Sequence, residues 1–280
     1  MLTLALSTRA ETYDRLDSIL PAYGIEVHHL ETTGRTIPIG PEPFSSEQLD
    51  TGLVFPSRLM EGGVANALLE IPWINDREAV LTSRNKGEVL ARLARADLPV
   101  PETVLVSNPV SRAELDAVFD WFDPPVVIKP NSTTRGVGIT LAHDLDSFLG
   151  ICDYLSLIHE FPVTKDRSFL VQEFLPDARD FRAMVIGGEY VGAVEREGKG
   201  WKHNVHAGAR AGGSRLPAEQ RTLVERVAET LDIPFLGVDL LVTKDRTVIT
   251  ETNARPTVDE KTKYEPEFED RLAELIRSRV

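Results

Sequence analysis

Apolar and polar positions change their rhythm near residue 100. Before residue 80, short apolar runs alternate with stretches of helical period, the pattern of an open α/β layer. Residues 2–6, 26–30, 52–55 and 73–75 read as strands and residues 10–20 and 62–70 as helices. Between them, residues 32–49 are rich in Pro, Gly, Ser and Thr and read as loop. Residues 82–97 form one amphipathic helix with Leu90, Leu93 and Ala94 inward, stopped by Leu98-Pro99-Val100-Pro101, which marks a join. Beyond Thr103 the pattern gives strands at 126–129 and 139–142 around a polar loop, a helix near 145–159, and a strand at 168–172 ending at Glu173. A hairpin of 181–186 and 189–195 turns over Gly187-Gly188. A helix at 218–231, a second hairpin of 236–243 and 247–252, and a helix at 267–277 complete a mixed α/β chain.

The second hairpin carries the strongest chemical signal. A three-residue turn centred on Asp245 pairs Thr243 with Thr247, Leu241 with Ile249 and Asp239 with Glu251. Side chains directly opposed lie about 4.5–5.5 Å apart at Cβ, and Asn253 projects from the same face as Glu251. Two carboxylates that close stay ionised together only with a cation nearby. An oxygen-only set of two carboxylates and an amide suits Mg²⁺ or Mn²⁺. The competing reading, a solvated hairpin with surface charge, is weakened because both acids interrupt strongly apolar runs.

Other segments say less on their own. In Val127-Ile-Lys129-Pro130-Asn-Ser-Thr-Thr-Arg135-Gly136-Val-Gly138, a lysine ends a buried strand before a glycine-bearing loop able to turn N–H groups toward an anion. It is neither a Walker loop nor GxGxxG. The strand end Glu173-Phe174-Leu175 could offer backbone groups to a base edge and apolar side chains to its face, or be a plain sheet edge. With Gly187-Gly188 as the turn, Arg182 opposes Ala193 and Asp180 opposes Glu195. The arginines Arg182 and Arg196 could grip a carboxylate or phosphate, or serve a structural ion-pair network. In Trp201-Lys202-His203-Asn204-Val205-His206, alternation puts Lys202 and Asn204 on one face, and zinc is discounted because no third ligand is near.

Composition narrows the picture. A length of 280 residues suits two compact domains, or one large one with subdomains, and 42% hydrophobic content supports a real core. A formal charge of −13 argues against nonspecific nucleic-acid binding. Arginine far outnumbers the eight lysines, and an acidic, lysine-poor surface is that of a salt-adapted protein. The single cysteine, Cys152, excludes an intrachain disulfide, fits a reducing cytoplasm, and reads as helix core. No membrane span or signal peptide is apparent.

Taken in order, these segments resemble the ATP-grasp ligases, and within them the RimK-like group that adds glutamate to proteins or cofactors. The similarity runs from about Pro56 to Val258. It includes Pro56-Ser-Arg58, Asn75, Ser83-Arg-Asn-Lys86, Val127-Ile-Lys-Pro130, Val171-Gln-Glu-Phe-Leu175, Asp180-Phe-Arg182, Asn204-Val-His206, Gly237-Val-Asp239 and Glu251-Thr-Asn253-Ala-Arg-Pro256. The resemblance implies an α/β N-terminal domain over 1–80 and an ATP-grasp domain over 81–280, with subdomains of about 81–170 and 171–280. It implies that Lys86 and Lys129 contact ATP phosphates, that Glu173, Phe174 and Leu175 hold the adenine, and that Asp180 lies near the ribose. It further implies Lys202, His203 and Asn204 at the phosphates and Asp239, Glu251 and Asn253 on Mg²⁺. Arg182 and Arg196 are the candidates for stabilising an acyl phosphate and its tetrahedral successor.

The expected reaction joins an amino acid, glutamate for the closest group, to a carboxylate or amine acceptor at the expense of ATP. Homo-oligomers are frequent among similar ligases. Some kinases share the fold, so phosphoryl transfer is the alternative, and a silent ATP-binding regulator is a third. The sequence departs from the family where an acid commonly precedes Lys86 (Asn85 here), where an arginine is usual at Lys202, and where glycine is frequent at Thr257. These positions bear on the acceptor and the phosphate grip.

Overall fold

The computed structural model describes residues 1–7, 11–40, 49–132, 137–158, 166–198, 201 and 210–280. Strands β1 (Leu2–Leu6), β2 (Ile25–His29), β3 (Thr51–Val54) and β4 (Trp73–Asn75) form a parallel sheet in the order β2-β1-β3-β4. Parallel pairing requires crossovers, and helices α1 (Glu11–Ile19) and α2 (Leu59–Leu69) supply two of them.

The helix expected over 82–97 is two helices, α3 (Arg77–Arg84) and α4 (Lys86–Arg95). Asn85 separates them. Its backbone leaves the helical region at φ −84°, ψ 88°, and its side chain accepts from Glu88 N at 3.2 Å. An asparagine that bonds its own backbone three residues on favours a cap over a helix interior. The break turns the amino end of α4, with Lys86, toward the middle of the molecule.

A second sheet, β5-β8-β6-β7, is antiparallel and contains β5 (Thr103–Ser107), β6 (Val126–Pro130), β7 (Thr140–Ala142) and β8 (Ser168–Glu173). Helices α5 (Arg112–Asp120) and α6 (Leu145–Ile158) contribute to its own hydrophobic core, where Phe119 and Phe148 pack with ring centroids 5.3 Å apart and Cys152 is fully buried. Neither β5 nor α5 follows from periodicity. The helix did carry a readable start: Ser111 and Glu114 form a reciprocal capping box.

The third sheet has the order β11-β10-β9-β12-β13: β9 (Arg179–Ile186), β10 (Glu189–Glu197), β11 (Arg210–Ser214), β12 (Phe235–Val242) and β13 (Thr247–Asn253). Helices α7 (Ala218–Leu231) and α8 (Phe268–Arg277) join this sheet and the first sheet in one continuous core. Gly187 and Gly188 take φ +60° and +87° and make the tight β9–β10 turn. Past that turn the expected register fails. A bulge between Tyr190 and Gly192 shifts the pairing by one residue, so Arg182 opposes Val194 and Asp180 opposes Arg196. The bulge serves a contact: Val191 O accepts from Glu265 N at 2.8 Å, and Gly192 bridges Tyr264.

The β12–β13 turn also differs from expectation. Thr243 to Arg246 form a four-residue loop, closed by Thr243 N donating to Arg246 O at 2.9 Å, and it pairs Val242 with Thr247 and Leu240 with Ile249. A second bulge follows, with Thr250 the extra residue. It restores the expected Asp239–Glu251 pair, and beyond it Gly237 opposes Asn253.

One side chain ties the first sheet to the third. Asn75 is fully buried at the end of β4; its Nδ2 donates to Phe235 O at 2.5 Å and Ala254 O at 2.7 Å, and its Oδ1 accepts from Phe235 N at 3.2 Å. Removing the amide strands three buried backbone groups, each costing roughly 1–3 kcal/mol. Asn75→Ala is therefore expected to lose about 2–4 kcal/mol, read as a fall in Tm of roughly 5–10 °C by calorimetry. A change within about 1 °C would show that the clamp contributes nothing net.

Candidate functional site

The site is built on β12 and β13. Asp239 points into the interior at 4% exposure, with Arg182 opposite it on β9 and Glu251 opposite it on β13. Isolated, that buried carboxylate would cost several kcal/mol. Arg182 donates Nε to Oδ1 at 2.6 Å and Nη2 to Oδ2 at 2.7 Å, a bidentate fork, and Arg196 Nη2 adds a bond to Oδ2 at 3.0 Å. Burial alone would raise the Asp239 pKa, but the two guanidiniums outweigh it and hold the carboxyl at about 2. Arg196 also binds Asp180 Oδ1 through Nη2 at 2.5 Å and Nε at 3.1 Å, a contact created by the β10 bulge. The two arginines are not equivalent: the Arg182 side chain is 30% exposed and the Arg196 side chain 8%. Arg182 keeps an edge toward the cleft, whereas Arg196 is enclosed by acids.

Two lysines reach the same floor from other elements. Lys86, the first residue of α4, is buried and pairs with Glu251 at 3.1 Å. Its position depends on Asn131, just past β6, whose O accepts from Lys86 N at 3.2 Å, whose Oδ1 accepts from Gly87 N at 2.8 Å and whose Nδ2 donates to Asn85 Oδ1 at 2.9 Å. A Cβ at Gly87 would meet Asn131 Oδ1 at 3.2 Å, so this close approach favours glycine. Lys129 crosses from the second sheet to the third. Its Nζ donates to Gln172 Oε1 at 3.0 Å and to Thr250 O at 3.4 Å, the carbonyl of the bulged residue. Gln172 is oriented by its own bond to Thr103 Oγ1 at 2.8 Å. Burial lowers the Lys129 pKa to about 8, with the charge of Glu251 opposing that fall.

Asn131, Gln172 and Thr250 were not singled out in the sequence. The signal for the first two was their place at strand ends beside Lys129 and Glu173; for Thr250 there was none, because a bulge leaves no periodic mark.

The remaining expected residues lie around this floor. Glu173 ends β8, where Oε1 accepts from Glu102 N at 2.7 Å and the carboxylate pairs with Arg246 of the β12–β13 loop. Its acid therefore closes the seam between the second and third sheets. Phe174 meets Trp201 edge-on with centroids 6.2 Å apart, and Leu175 is half-buried. Lys202, His203 and Asn204, and Arg135 and Gly136 of the glycine-bearing loop, lie outside the described residues.

The donor set fits a hard cation in chemistry, with one condition. Asp239 and Glu251 are opposed and anionic, while the Asn253 Oδ1 accepts from Arg255 N at 2.9 Å. Among the described residues, no cluster of three or more His, Cys, Asp or Glu side chains forms a metal cage. Arg182 and Lys86 already neutralise the two acids. A divalent ion entering alone would meet four nearby cations, so anionic phosphate oxygens must accompany it.

A second cationic feature borders the floor. Arg84, at the end of α3, donates Nη2 to Ser57 O at 2.8 Å. Arg255, two residues past Asn253, donates to Phe55 O and, at 3.5 Å, to Ser7 Oγ. Burial lowers the Arg84 pKa; burial, then the Arg84 charge, lower that of Arg255 to about 10. The sequence assigned neither residue a role.

The chain is similar to known proteins in sequence and in fold. A "Probable alpha-L-glutamate ligase" of Legionella pneumophila (strain Corby) is 31% identical over 187 residues, which are 65% of this chain and 59% of that protein. This chain thus matches under two thirds of that relative's length. A RimK domain ATP-grasp protein from Sphaerobacter thermophilus superposes with a TM-score of 0.70 at 21% identity, covering 100% of this chain and 99% of that one. The ATP-grasp ligase PsnB, complexed with a minimal precursor, Mg and ADP, gives 0.69 at 16% identity, covering 99% and 96%. The fold is therefore the ATP-grasp fold, preceded by a small parallel α/β layer. The RimK-like ATP-grasp domain profile matches residues 83–276, from the end of α3 to the last turn of α8, and the chain belongs to that family.

Proposed function

We propose that the protein is an ATP-dependent carboxylate–amine ligase with glutamate as its amino-acid substrate. The observation that carries the reading is the cross-strand pair Asp239–Glu251, each acid paired to a cation, with Lys129 reaching it from the opposing sheet. Membership of a family that includes a probable glutamate ligase supports the substrate, and the Mg and ADP found with PsnB support the cofactors.

The chain's own residues would work mainly by positioning and charge. Lys86 and Lys129 would neutralise phosphate oxygens, Glu173, Phe174 and Leu175 would border the base, and Asp180, held by Arg196, would lie near the ribose. Lys202, His203 and Asn204 would complete the phosphate grip. Asp239, Glu251 and Asn253 would hold Mg²⁺ or Mn²⁺, which when bound offsets charge on the phosphates. A substrate carboxylate oxygen attacks the γ-phosphorus and ADP leaves, giving an acyl phosphate. The amine then attacks the carbonyl carbon, phosphate departs, and the nitrogen loses a proton. Arg182, with its exposed edge, is the residue to contact the developing oxyanion. Arg196, closed in by Asp180 and Asp239, positions Arg182 through their shared carboxylate. A reducing cytoplasmic setting suits a chain whose lone thiol, Cys152, is pushed by burial up to about 12 and is inert.

The direct test pairs amino acids with candidate acceptors, follows ADP release, and identifies products by mass spectrometry. Release that requires both substrates and yields an amide supports ligation; a stable phosphorylated product would move the assignment to a kinase. In Glu251→Gln, turnover is expected to fall by about 10²-fold or more with the circular-dichroism spectrum unchanged. Asp239→Asn is the poorer probe, because it removes the acid from half-buried Arg182 and one of the two acids from buried Arg196, and so disturbs the fold as well as the site.

Lys129 gives a pH signature. With a pKa of about 8 in the free protein, it is charged below that pH and loses its proton above it. Bound phosphate favours the charged form, so nucleotide binding at pH 8.5 takes up a proton and KM for ATP rises above pH 8, by at most about tenfold per pH unit. Calorimetry in two buffers of different ionisation enthalpy measures the uptake. Lys129→Arg, charged throughout, is expected to abolish it, and an unchanged uptake in that variant would assign the proton elsewhere.

A further inference from the structure

In the first sheet, β1 leads through α1 to β2 on one side, while β3 leads through α2 to β4 on the other. The order β2-β1-β3-β4 therefore has its switch point between β1 and β3. In open parallel sheets, ligands bind in the crevice beyond the carboxyl ends of the strands at such a point. Ser7 directly follows β1, and Phe55 to Ser57 follow β3, so these residues edge the crevice.

Two arginines from outside the sheet converge there. Arg255 donates to Phe55 O and to Ser7 Oγ, and Arg84 donates to Ser57 O. Both are held from behind. Asn253 Oδ1 accepts from Arg255 N at 2.9 Å, and Ser83 Oγ accepts from Ala254 N at 2.9 Å. The same Ser83 hydroxyl lies 3.2 Å from Thr252 Oγ1, which locks the end of α3 to β13. Among the described residues, Arg84 forms no ion pair with a carboxylate. Two guanidiniums at one crevice repel each other, and an anion between them would turn that repulsion into attraction. Each is a planar fork suited to carboxylate.

The location says which carboxylate. Arg84 stands two residues before Lys86, and Arg255 two residues after Asn253, so the pair adjoins the floor without being part of it. We propose that Arg84 and Arg255 bind a spectator carboxylate of the acidic substrate, one not consumed in the reaction, at the β1–β3 switch point. The inference rests on the ligase reading for the identity of the substrate, but not for the existence of an acid-binding site. It makes the pair specificity-determining: a dicarboxylic amino acid is accepted, and its amide or aliphatic analogue is disfavoured.

The test measures binding and kinetics separately. Saturation-transfer NMR on the full chain with glutamate, and with glutarate as a minimal dicarboxylate, should detect binding in the wild type. Arg84→Gln and Arg255→Gln should each weaken it by about tenfold or more while leaving the Kd for Mg-ATP unchanged. In turnover, both variants should raise KM for the acid more than they lower kcat, and narrow the preference for glutamate over glutamine. A purely structural role would lower Tm without that selectivity. If Arg255→Gln does not fold, Arg84→Gln, half-buried and bound to a carbonyl at the surface, carries the test alone. Folded variants that bind glutarate like the wild type, or a wild type that binds neither acid, would overturn the proposal. If no substrate pair releases ADP yet the variants lose glutarate binding, the acid site stands and only the ligase reading fails.

Discussion

The molecule is organised around the cost of burying the Asp239 carboxylate. A carboxylate at 4% exposure survives as an anion only with excellent geometry on both oxygens, and Arg182 and Arg196 supply it. Much of the third sheet follows from that demand. Arg182 must be the direct neighbour of Asp239 on β9, and Arg196 must swing inward from β10, which the bulge at Val191 allows. Asp180 then neutralises the second arginine. The result is an alternating chain of charge, Asp180–Arg196–Asp239–Arg182, that is internally satisfied yet open at one end. Such a network is costly to break and cheap to extend toward a ligand of matching charge.

The same logic explains why the cationic side chains come from different parts of the sequence. Lys86 arrives on a helix end fixed by Asn131 and Asn85, Lys129 on a strand of the second sheet, and the two arginines on the third. The second sheet has its own core, while the first and third share one. Lys129, Glu173 and Asn131 are polar ties across the seam between these units. Polar ties of moderate number, rather than a continuous apolar interface, suit a cleft that admits and releases a nucleotide in the function proposed above.

Sequence periodicity recovered elements whose apolar positions are regular and missed those that tertiary contacts define. β1, β4 and α7 could be read residue for residue, because their core-facing positions are regular or flanked by clear breakers. The Asp239–Glu251 pair was also legible, but through a turn of the wrong length. The actual loop is one residue longer, and the Thr250 bulge compensates. No such compensation exists on β9–β10, so the expected Asp180–Glu195 pairing gave way to Asp180–Arg196. Hydrophobic alternation constrains which face a residue takes, but a bulge exchanges faces without changing composition. The split at Asn85 failed for a related reason: one side-chain cap outweighs a continuous helical period.

What periodicity and charge did not show was the contribution of neutral polar groups. Asn75, Asn131, Gln172 and Ser83 make no charge pattern and have no period, yet they set the distance between sheets and aim the charged residues. Asn75, Asn131 and Ser83 match backbone donors and acceptors that two elements leave unpaired where they meet, Gln172 links the side chains of Lys129 and Thr103, and such pairings exist only once the chain has folded. The charged residues at the site are therefore visible in advance because their chemistry is unusual in an apolar run. Their geometry is not, because it is written in amides and hydroxyls whose partners lie far away in sequence. Arg84 and Arg255 belong to this second class despite their charge: they lie 171 positions apart, and the contacts of Ser83 Oγ with Ala254 N and Thr252 Oγ1 help bring their backbones together at the edge of the first sheet.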